Sequence, residues 1–315
     1  MIYIGIDVGG LSFKAGAVDE AGHILSKASC PSGVERGYGP MIRDMAELAF
    51  KVVADSGHTM DEVKSIGIGI PGIMNQQTGR VPYCTNLFWT DVPILDEMMK
   101  KYTDIPVYVD NDATVAGLAE SVAGVSAGVK NSVFVTLGTG IGGGVILNGR
   151  VFTGSHGVAT EIGHVTTVDG GEPCNCGKRG CWERYASATA LIREGRRLCE
   201  RKPECALMKA VEGSTDAITA KHVFDLAKAG DPDCLELFDW YIHHLCMGLG
   251  NLVSLYDPEV FVLGGGVSHA GEFLLDAVRK ELPNWVFFKS MPFARVELAK
   301  LTNDAGIIGA AMLGR

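Results

Sequence analysis

The feature that most constrains the fold is a plan that occurs twice in the 315-residue chain. Each copy reads as an apolar strand, a glycine-rich turn, a second strand, a tight hairpin and a third strand. The first copy covers residues 2–28 and turns at Gly9–Gly10, and the second covers 132–152 and turns at Gly138–Gly140. The dipeptide Asn148-Gly149 favours a two-residue hairpin turn. A repeat at a separation of about 130 residues predicts two homologous domains, each with one glycine turn.

The remaining chain alternates between predicted strands and predicted helices. Asp231-Pro232 offers an N-cap and a first-turn proline to a long helix. Such alternation indicates α/β layers with mostly parallel sheets. The predicted strands are 65–71, 105–110 and 259–263, and the predicted helices are 39–56, 112–123, 186–201, 219–229, 232–256, 272–281 and 305–313.

Composition narrows the class of protein. Hydrophobic residues make up 47% and charged residues 21%, which is typical of a soluble globular protein. A net charge of −9 disfavours a nucleic-acid surface. No stretch approaches the roughly 20 apolar residues of a membrane span, and the early Asp7 with no basic segment before it argues against a signal peptide. Nine cysteines without framework spacing indicate a reducing compartment. We therefore expect a cytoplasmic protein without nucleic-acid or membrane partners.

One short segment concentrates cysteine, histidine and acid residues. One imidazole and three thiols at its spacing form a set that suits a closed, tetrahedral zinc site. Glu161 and Glu183 flank this set and are not needed by the metal. Two alternatives are a disulfide to Cys181 and a zinc knuckle that only braces a loop. The predicted zinc ligands are His164, Cys174, Cys176 and Cys181.

Three glycine turns follow predicted strands, at Asp7–Gly10, Gly138–Gly144 and Gly264–Gly266. Glycine lets backbone amides converge on an anion, so these turns predict phosphate contact; the alternative is plain hairpin turns. The segment Gly138–Gly144 formally fits a dinucleotide fingerprint, but it precedes a strand where that fold requires a helix. Asp7 is a candidate to hold Mg2+ through water, and Lys14 and Lys178 are candidate cations near the phosphates, although Lys178 also fits a solvated surface.

Four motifs together resemble the ROK family of sugar kinases and repressors, over nearly the whole chain. They are Asp7-x-Gly-Gly-x-x-x-Lys14, Leu137-Gly-Thr-Gly-Ile-Gly-Gly-Gly144, Glu161-Ile-Gly-His164 and Cys174-Asn-Cys-Gly-x-x-Gly-Cys181-x-Glu183. The resemblance implies a duplicated actin/hexokinase-like (ribonuclease-H-like) two-domain α/β fold with an interdomain cleft. We expect an N-terminal lobe of residues 1–118 plus 303–315 and a C-terminal lobe of residues 119–302.

The resemblance also implies ATP-dependent phosphorylation of a hexose, with Mg2+ on the nucleotide and a structural Zn2+. Asp112 matches the family's general base, and the alternative for this residue is a plain helix N-cap. The implied sugar contacts are Gly72, Asn86, Asn111, Glu161, His164 and Glu183. The implied nucleotide contacts are Gly9, Gly10, Ser12, Thr139, Gly140, Gly265 and Gly266.

Specificity rests on finer likeness. The sequence around Asn86–Pro93 and Glu183–Thr189 resembles the branch of the family that phosphorylates glucose, so we expect transfer to the glucose 6-hydroxyl. Alternatives are an N-acetylmannosamine, N-acetylglucosamine, allose or fructose kinase, or a non-catalytic sugar-responsive regulator. Leu11 departs from the usual threonine and removes a hydroxyl from the phosphate turn. Trp89 fits either a sugar-stacking or a core role. Dimers are common in the family, so a homodimer or higher homo-oligomer is expected.

Overall fold

The computed structural model describes residues 1–75 and 77–315 as a mixed α/β chain. The strands, in chain order, are β1 (Ile2–Val8), β2 (Ser12–Val18), β3 (Ile24–Pro31), β4 (Val63–Ile70), β5 (Ile73–Asn75), β6 (Arg80–Cys84), β7 (Trp89–Val92), β8 (Val107–Asn111), β9 (Ser132–Leu137), β10 (Ile141–Leu147), β11 (Arg150–Val151), β12 (Val260–Gly264) and β13 (Arg295–Leu298). The helices are α1 (Tyr38–Asp55), α2 (Ile94–Lys101), α3 (Asp112–Ala123), α4 (Glu183–Ala186), α5 (Ala188–Arg201), α6 (Ala206–Ala210), α7 (Ala220–Lys228), α8 (Pro232–Tyr256), α9 (Glu272–Glu281) and α10 (Ala305–Met312).

The repeat in the sequence becomes two sheets with the same strand order. The first sheet runs β3-β2-β1-β4-β8 and the second runs β11-β10-β9-β12-β13. In each, hairpin strands lie at one side and parallel strands at the other: β1 pairs with β2 antiparallel and with β4 parallel. Asn148 and Gly149, at φ 53° and 75°, form the turn between β10 and β11. The predicted duplication and the α/β fold are confirmed.

The chain divides into two compact units. The first comprises residues 1–134, 144–160 and 300–315, and the second comprises 135–143 and 161–299. The compact units assign 119–134 and 144–160 to the first unit, whereas the expected lobes placed both segments in the second. The boundaries of the two lobes expected from the sequence stay a prediction. Among the described residues, no helix is both long and apolar enough to cross a membrane.

Helix α10 packs unusually closely within the first unit. A Cβ built on Gly67 of β4 would lie 1.7 Å from the Ala310 carbonyl oxygen, and one on Gly309 would lie 1.7 Å from the Val115 carbonyl oxygen. Because only glycine permits such backbone approach, α10 is fixed against both β4 and α3. This packing holds α3, whose first residue is Asp112, in a defined position.

A small sheet, β5-β6-β7, and the short helix α2 were not predicted from the sequence. They follow β4 in the first unit. Phe88 and Asp91 lie in the left-handed backbone region, at φ 55° and 51°, which non-glycine residues seldom adopt. Both residues interrupt the regular strand geometry of this segment. The exposed fraction of Trp89 is 2%, so this ring belongs to the core and the sugar-stacking alternative is wrong.

Candidate active site and metal centre

Strand β8 ends where helix α3 begins, and two polar side chains meet at this junction. Asn111, not Asp112, is the N-cap: its Oδ1 accepts the Ala113 N–H at 2.9 Å. Its Nδ2 also donates to the Gly72 carbonyl at 3.0 Å. Asp112 is the first residue of the helix, is exposed, and accepts the same Ala113 N–H at 2.8 Å. The helix N-terminus favours the ionised form of this carboxylate.

The segment before β7 lies against this junction. The Cys84 thiol donates to the Pro71 carbonyl at 2.6 Å, next to Gly72, and the negative charge of Asp112 contributes to raising the Cys84 pKa, after the larger effect of burial. Asn86 sits on the adjacent 3₁₀ turn and is exposed. A Cβ on Gly10 would lie 3.3 Å from the Asn86 carbonyl. The first unit therefore brings four of the predicted positions, Gly10, Gly72, Asn86 and Asn111, to the neighbourhood of Asp112.

The first glycine turn joins β1 to β2. Asp7 on β1 lies opposite Lys14 on β2, and burial raises the pKa of Asp7 while the nearby Lys14 charge opposes this shift. The turn is closed by the Gly9 N–H donating to the Ser12 carbonyl at 3.0 Å. Leu11 is 91% exposed at its tip. The turn thus presents backbone to solvent, and its apolar tip residue contributes nothing to the core.

The predicted metal ligands come together in the second unit. The ligand atoms of His164, Cys174, Cys176 and Cys181 all lie within 4.8 Å of one another. The Cys176 and Cys181 sulfurs are 3.6 Å apart, and the Cys174 sulfur is 3.6 Å from His164 Nδ1. In a tetrahedral zinc site with Zn–S bonds of about 2.3 Å, sulfurs lie about 3.8 Å apart. The donor set and its spacing therefore fit zinc.

The surrounding loop explains how the four ligands meet. His164 ends a 3₁₀ turn, and the Lys178 ammonium donates to its carbonyl at 2.6 Å. Cys174 lies in a hairpin that is closed by a backbone hydrogen bond, which the Cys174 N–H donates to the Lys178 carbonyl at 2.9 Å. Lys178 thus binds the loop itself. Burial raises the pKa of the Cys174 thiol to about 12, so a cation must displace its proton to gain this ligand.

Both flanking glutamates lie beside the cluster. Glu183 Oε1 accepts from the Cys174 thiol at 3.1 Å and is 3.8 Å from His164 Nδ1. Glu161 Oε2 is 3.9 Å from His164 Nε2. With Nδ1 directed at the sulfurs, Nε2 is the nitrogen that faces Glu161. Each ring nitrogen of His164 therefore has a carboxylate oxygen within 4 Å, at distances longer than a hydrogen bond.

The second glycine turn packs onto the same loop. A Cβ on Gly140 would lie 2.5 Å from Glu183 Oε2, and the Gly138 carbonyl accepts the Ala188 N–H of α5 at 2.8 Å. A Cβ on Gly265 would lie 2.6 Å from the Leu137 carbonyl, so the third glycine turn is adjacent too. Thr139, Gly265 and Gly266 are exposed. The second and third glycine turns and the loop that carries the metal ligands therefore lie next to one another within the second unit.

Sequence reasoning missed the anchor of this loop. Trp182 is fully buried between two motif residues, and its Nε1–H donates to the His244 carbonyl of α8 at 2.9 Å. A Cβ on Gly248 would lie 1.9 Å from the indole, so α8 has a glycine where the ring packs. The signal was a tryptophan flanked by Cys181 and Glu183. It fixes the metal loop to the longest helix of the described chain.

The chain is similar to known proteins over nearly its whole length. The profile described as the ROK family matches residues 3–315. The chain belongs to the ROK family. It is 36% identical over 312 residues to the glucokinase of Halalkalibacterium halodurans, covering 99% of this chain and 94% of that protein.

Two solved ROK structures share its fold. A ROK glucokinase from Streptomyces griseus, crystallised with glucose and AMPPNP, has a TM-score of 0.79 at 36% identity, with 99% of each chain covered. The ROK hexokinase from Thermus thermophilus has a TM-score of 0.86 at 32% identity, covering 100% of this chain and 97% of that one.

Proposed function

We propose that this chain transfers the γ-phosphoryl group of ATP to the 6-hydroxyl of glucose. Membership of the ROK family, the glucokinase relatives and the neighbour that holds glucose and an ATP analogue support this activity. The observation that carries the proposal is an exposed carboxylate, Asp112, on the first residue of a helix that Asn111 caps.

Asp112 is proposed as the general base. Phosphoryl transfer to an alcohol depends mainly on positioning and charge neutralisation, and the base accepts the hydroxyl proton as the oxygen attacks phosphorus. The bond between glucose O6 and the γ-phosphorus forms as the bond to the ADP oxygen breaks. Asn111 supplies the helix cap, so it holds Asp112 at the end of β8 and also fixes the Gly72 backbone.

The sugar ligands are proposed from hydrogen-bonding capacity. Glu161 and Glu183 only accept hydrogen bonds, which suits sugar hydroxyl groups. His164 Nε2 faces Glu161 and is the ring nitrogen that remains for a sugar. Asn86 and Asn111 offer both donor and acceptor atoms. Gly72 completes the proposed set through its backbone, which Asn111 positions.

The nucleotide contacts are proposed at the glycine turns. Backbone amides at such turns favour anions, and they approach phosphate closely because the residues lack side chains. Bound Mg2+ would neutralise phosphate charge, and Asp7 is the carboxylate proposed to hold it through water. The proposed nucleotide-side residues are Asp7, Gly9, Gly10, Ser12, Lys14, Thr139, Gly140, Gly265 and Gly266.

The metal centre is proposed to be structural. His164, Cys174, Cys176 and Cys181 would occupy all four positions of a tetrahedral ion, leaving none for water. Its chemistry would be to fix the loop that carries Glu161 and Glu183. We also propose a cytoplasmic location, which the cysteine usage favours, and, from the family alone, a role in sugar breakdown and a homodimeric or larger assembly.

The test is ADP release measured with Mg-ATP over a panel of glucose, N-acetylmannosamine, N-acetylglucosamine, allose and fructose. We expect glucose to give the highest kcat/KM and Asp112→Asn to lower kcat by about 10²- to 10⁴-fold. The matched control is Asp104→Asn, an exposed carboxylate in the turn before β8, which leaves kcat unchanged. Glucose binding without ADP release by the wild type would instead support a sugar-responsive regulator.

A further inference from the structure

Helix α3 has a second feature besides Asp112: one of its faces touches every segment by which the chain enters or leaves the first unit. Over residues 1–75 and 77–315, the chain passes between the units at four places, after Phe134, before Gly144, after Thr160 and before Lys300. Each of these four residues contacts α3 within the first unit. The contacts are distributed along about two turns of the helix.

Two of the segments pack against Gly117. A Cβ built on Gly117 would lie 3.0 Å from the Phe134 Cβ and 3.2 Å from the Gly144 Cα. One on Gly144 would in turn lie 2.7 Å from the Ala113 carbonyl oxygen. The backbones therefore approach here as closely as glycine allows. A third segment is met by Thr114, whose hydroxyl is 3.5 Å from the buried hydroxyl of Thr160.

The fourth segment is held by a fully buried carboxylate, Glu120. Its Oε1 accepts the N–H groups of Lys300 and Leu301, both at 2.8 Å. Its Oε2 accepts the Val125 N–H at 2.9 Å, just beyond the end of α3. Hydrogen bonds to a charged acceptor are stronger than neutral ones, and removal of the acceptor leaves three donors without it.

These contacts share one face because Thr114, Gly117 and Glu120 are spaced three residues apart. We propose that Glu120 is a positioning residue for the reaction: it sets the register of α3 against the passing segments and thereby the position of Asp112. The proposal rests on the proposed role of Asp112 as base. A shift of α3 along its axis would carry Asp112 with it, and misplacement of a catalytic group by about 1 Å costs on the order of 10²-fold in rate.

The test compares Glu120→Gln and Glu120→Ala with Leu118→Ala. Leu118 lies on the same helix in an apolar cluster against which the Leu301 side chain also packs. Its truncation destabilises α3 but leaves the Lys300 and Leu301 N–H groups their Glu120 acceptor. We expect Glu120→Ala to lower kcat about 10- to 100-fold with less than about a threefold change in glucose KM. Glu120→Gln, which keeps one acceptor oxygen, lies between it and the wild type. Leu118→Ala retains kcat within about threefold at a similar loss of Tm.

Hydrogen exchange supplies a readout that does not depend on turnover. In Glu120→Ala, amides of residues 300–301 and of residues 113–117 lose protection together, and the loss exceeds that in Leu118→Ala. Retained kcat in Glu120→Ala, or an equal kcat loss in both alanine variants at matched Tm, overturns the inference. A wild type without glucose-dependent ADP release refutes the kinase proposal instead, and the exchange comparison still tests the anchor.

Discussion

The substitution Gly140→Ala probes the contact between the second glycine turn and Glu183. The new Cβ would lie 2.5 Å from Glu183 Oε2, about 0.9 Å inside an ordinary contact. Gly140 does not adopt the left-handed backbone region, so alanine is tolerated by the main chain. The atom that must yield is the end of a flexible side chain, and its displacement costs the fold little. The clash at Oε2 turns Glu183 away from its present position, where Oε1 accepts from the Cys174 thiol.

The consequence is expected in sugar binding. If Glu183 accepts a glucose hydroxyl, its displacement removes a hydrogen bond to a charged group, which contributes about 1.5–3 kcal/mol. This range corresponds to a rise in glucose KM of roughly 10- to 100-fold. We expect Tm to fall by no more than about 2 °C, because one half-buried turn residue changes without loss of core contacts.

The assay is the steady-state KM for glucose and for ATP, measured with Gly138→Ala as the matched control. A Cβ on Gly138 meets no atom within 4 Å, so this variant leaves Glu183 in place. Its methyl group lies in open space at the turn proposed to contact phosphate, and we expect only the ATP KM to rise. An unchanged glucose KM in Gly140→Ala, at saturating ATP, would refute Glu183 as a sugar ligand.

Three further predictions concern the metal, the first turn and a buried acid. Cys176→Ser should lose zinc, as measured by metal analysis, and lower Tm by at least about 4 °C, since structural zinc contributes folding energy; full zinc retention would contradict the assigned ligands. Leu11→Thr restores a hydroxyl at a side chain that is 91% exposed, so the ATP KM should fall about two- to tenfold with Tm unchanged, and a rise would argue against phosphate contact there. Burial raises the pKa of Asp110 to about 6, so its ionisation costs stability as pH rises from about 4 through 6. The stability of Asp110→Asn relative to the wild type should therefore increase by about 2 kcal/mol between pH 4.5 and pH 7, as measured by urea unfolding. A difference that does not change with pH would refute this assignment.

The repeated core was predictable because its signals are local. The strands β1 and β9 are mostly apolar and almost entirely buried, and Asn148-Gly149 has the positive φ values that its hairpin requires. The clustering of the four candidate metal ligands was predictable for the same reason, since their donor types and spacing within one short loop fit a closed zinc site.

What escaped prediction depends on contacts distant in sequence. The sequence allows Asp112 as the cap, yet Asn111 takes that role: its Oδ1 accepts the Ala113 N–H, while its Nδ2 reaches the Gly72 carbonyl, 39 residues away. Glu120 resembles an ordinary helix acid until its bonds to Lys300 and Leu301 are seen. Trp182 binds a carbonyl 62 residues further on. No periodicity along the chain encodes such pairings.

The central claim is that Asp112 removes the proton from glucose O6 as ATP donates its γ-phosphoryl group. The most direct measurement is a crystal structure of the zinc-loaded protein with glucose and a non-hydrolysable ATP analogue. We predict a separation of about 2.6–3.2 Å between a carboxylate oxygen of Asp112 and glucose O6. Glucose bound with O6 directed away from Asp112, beyond the reach of a bridging water, would contradict the account.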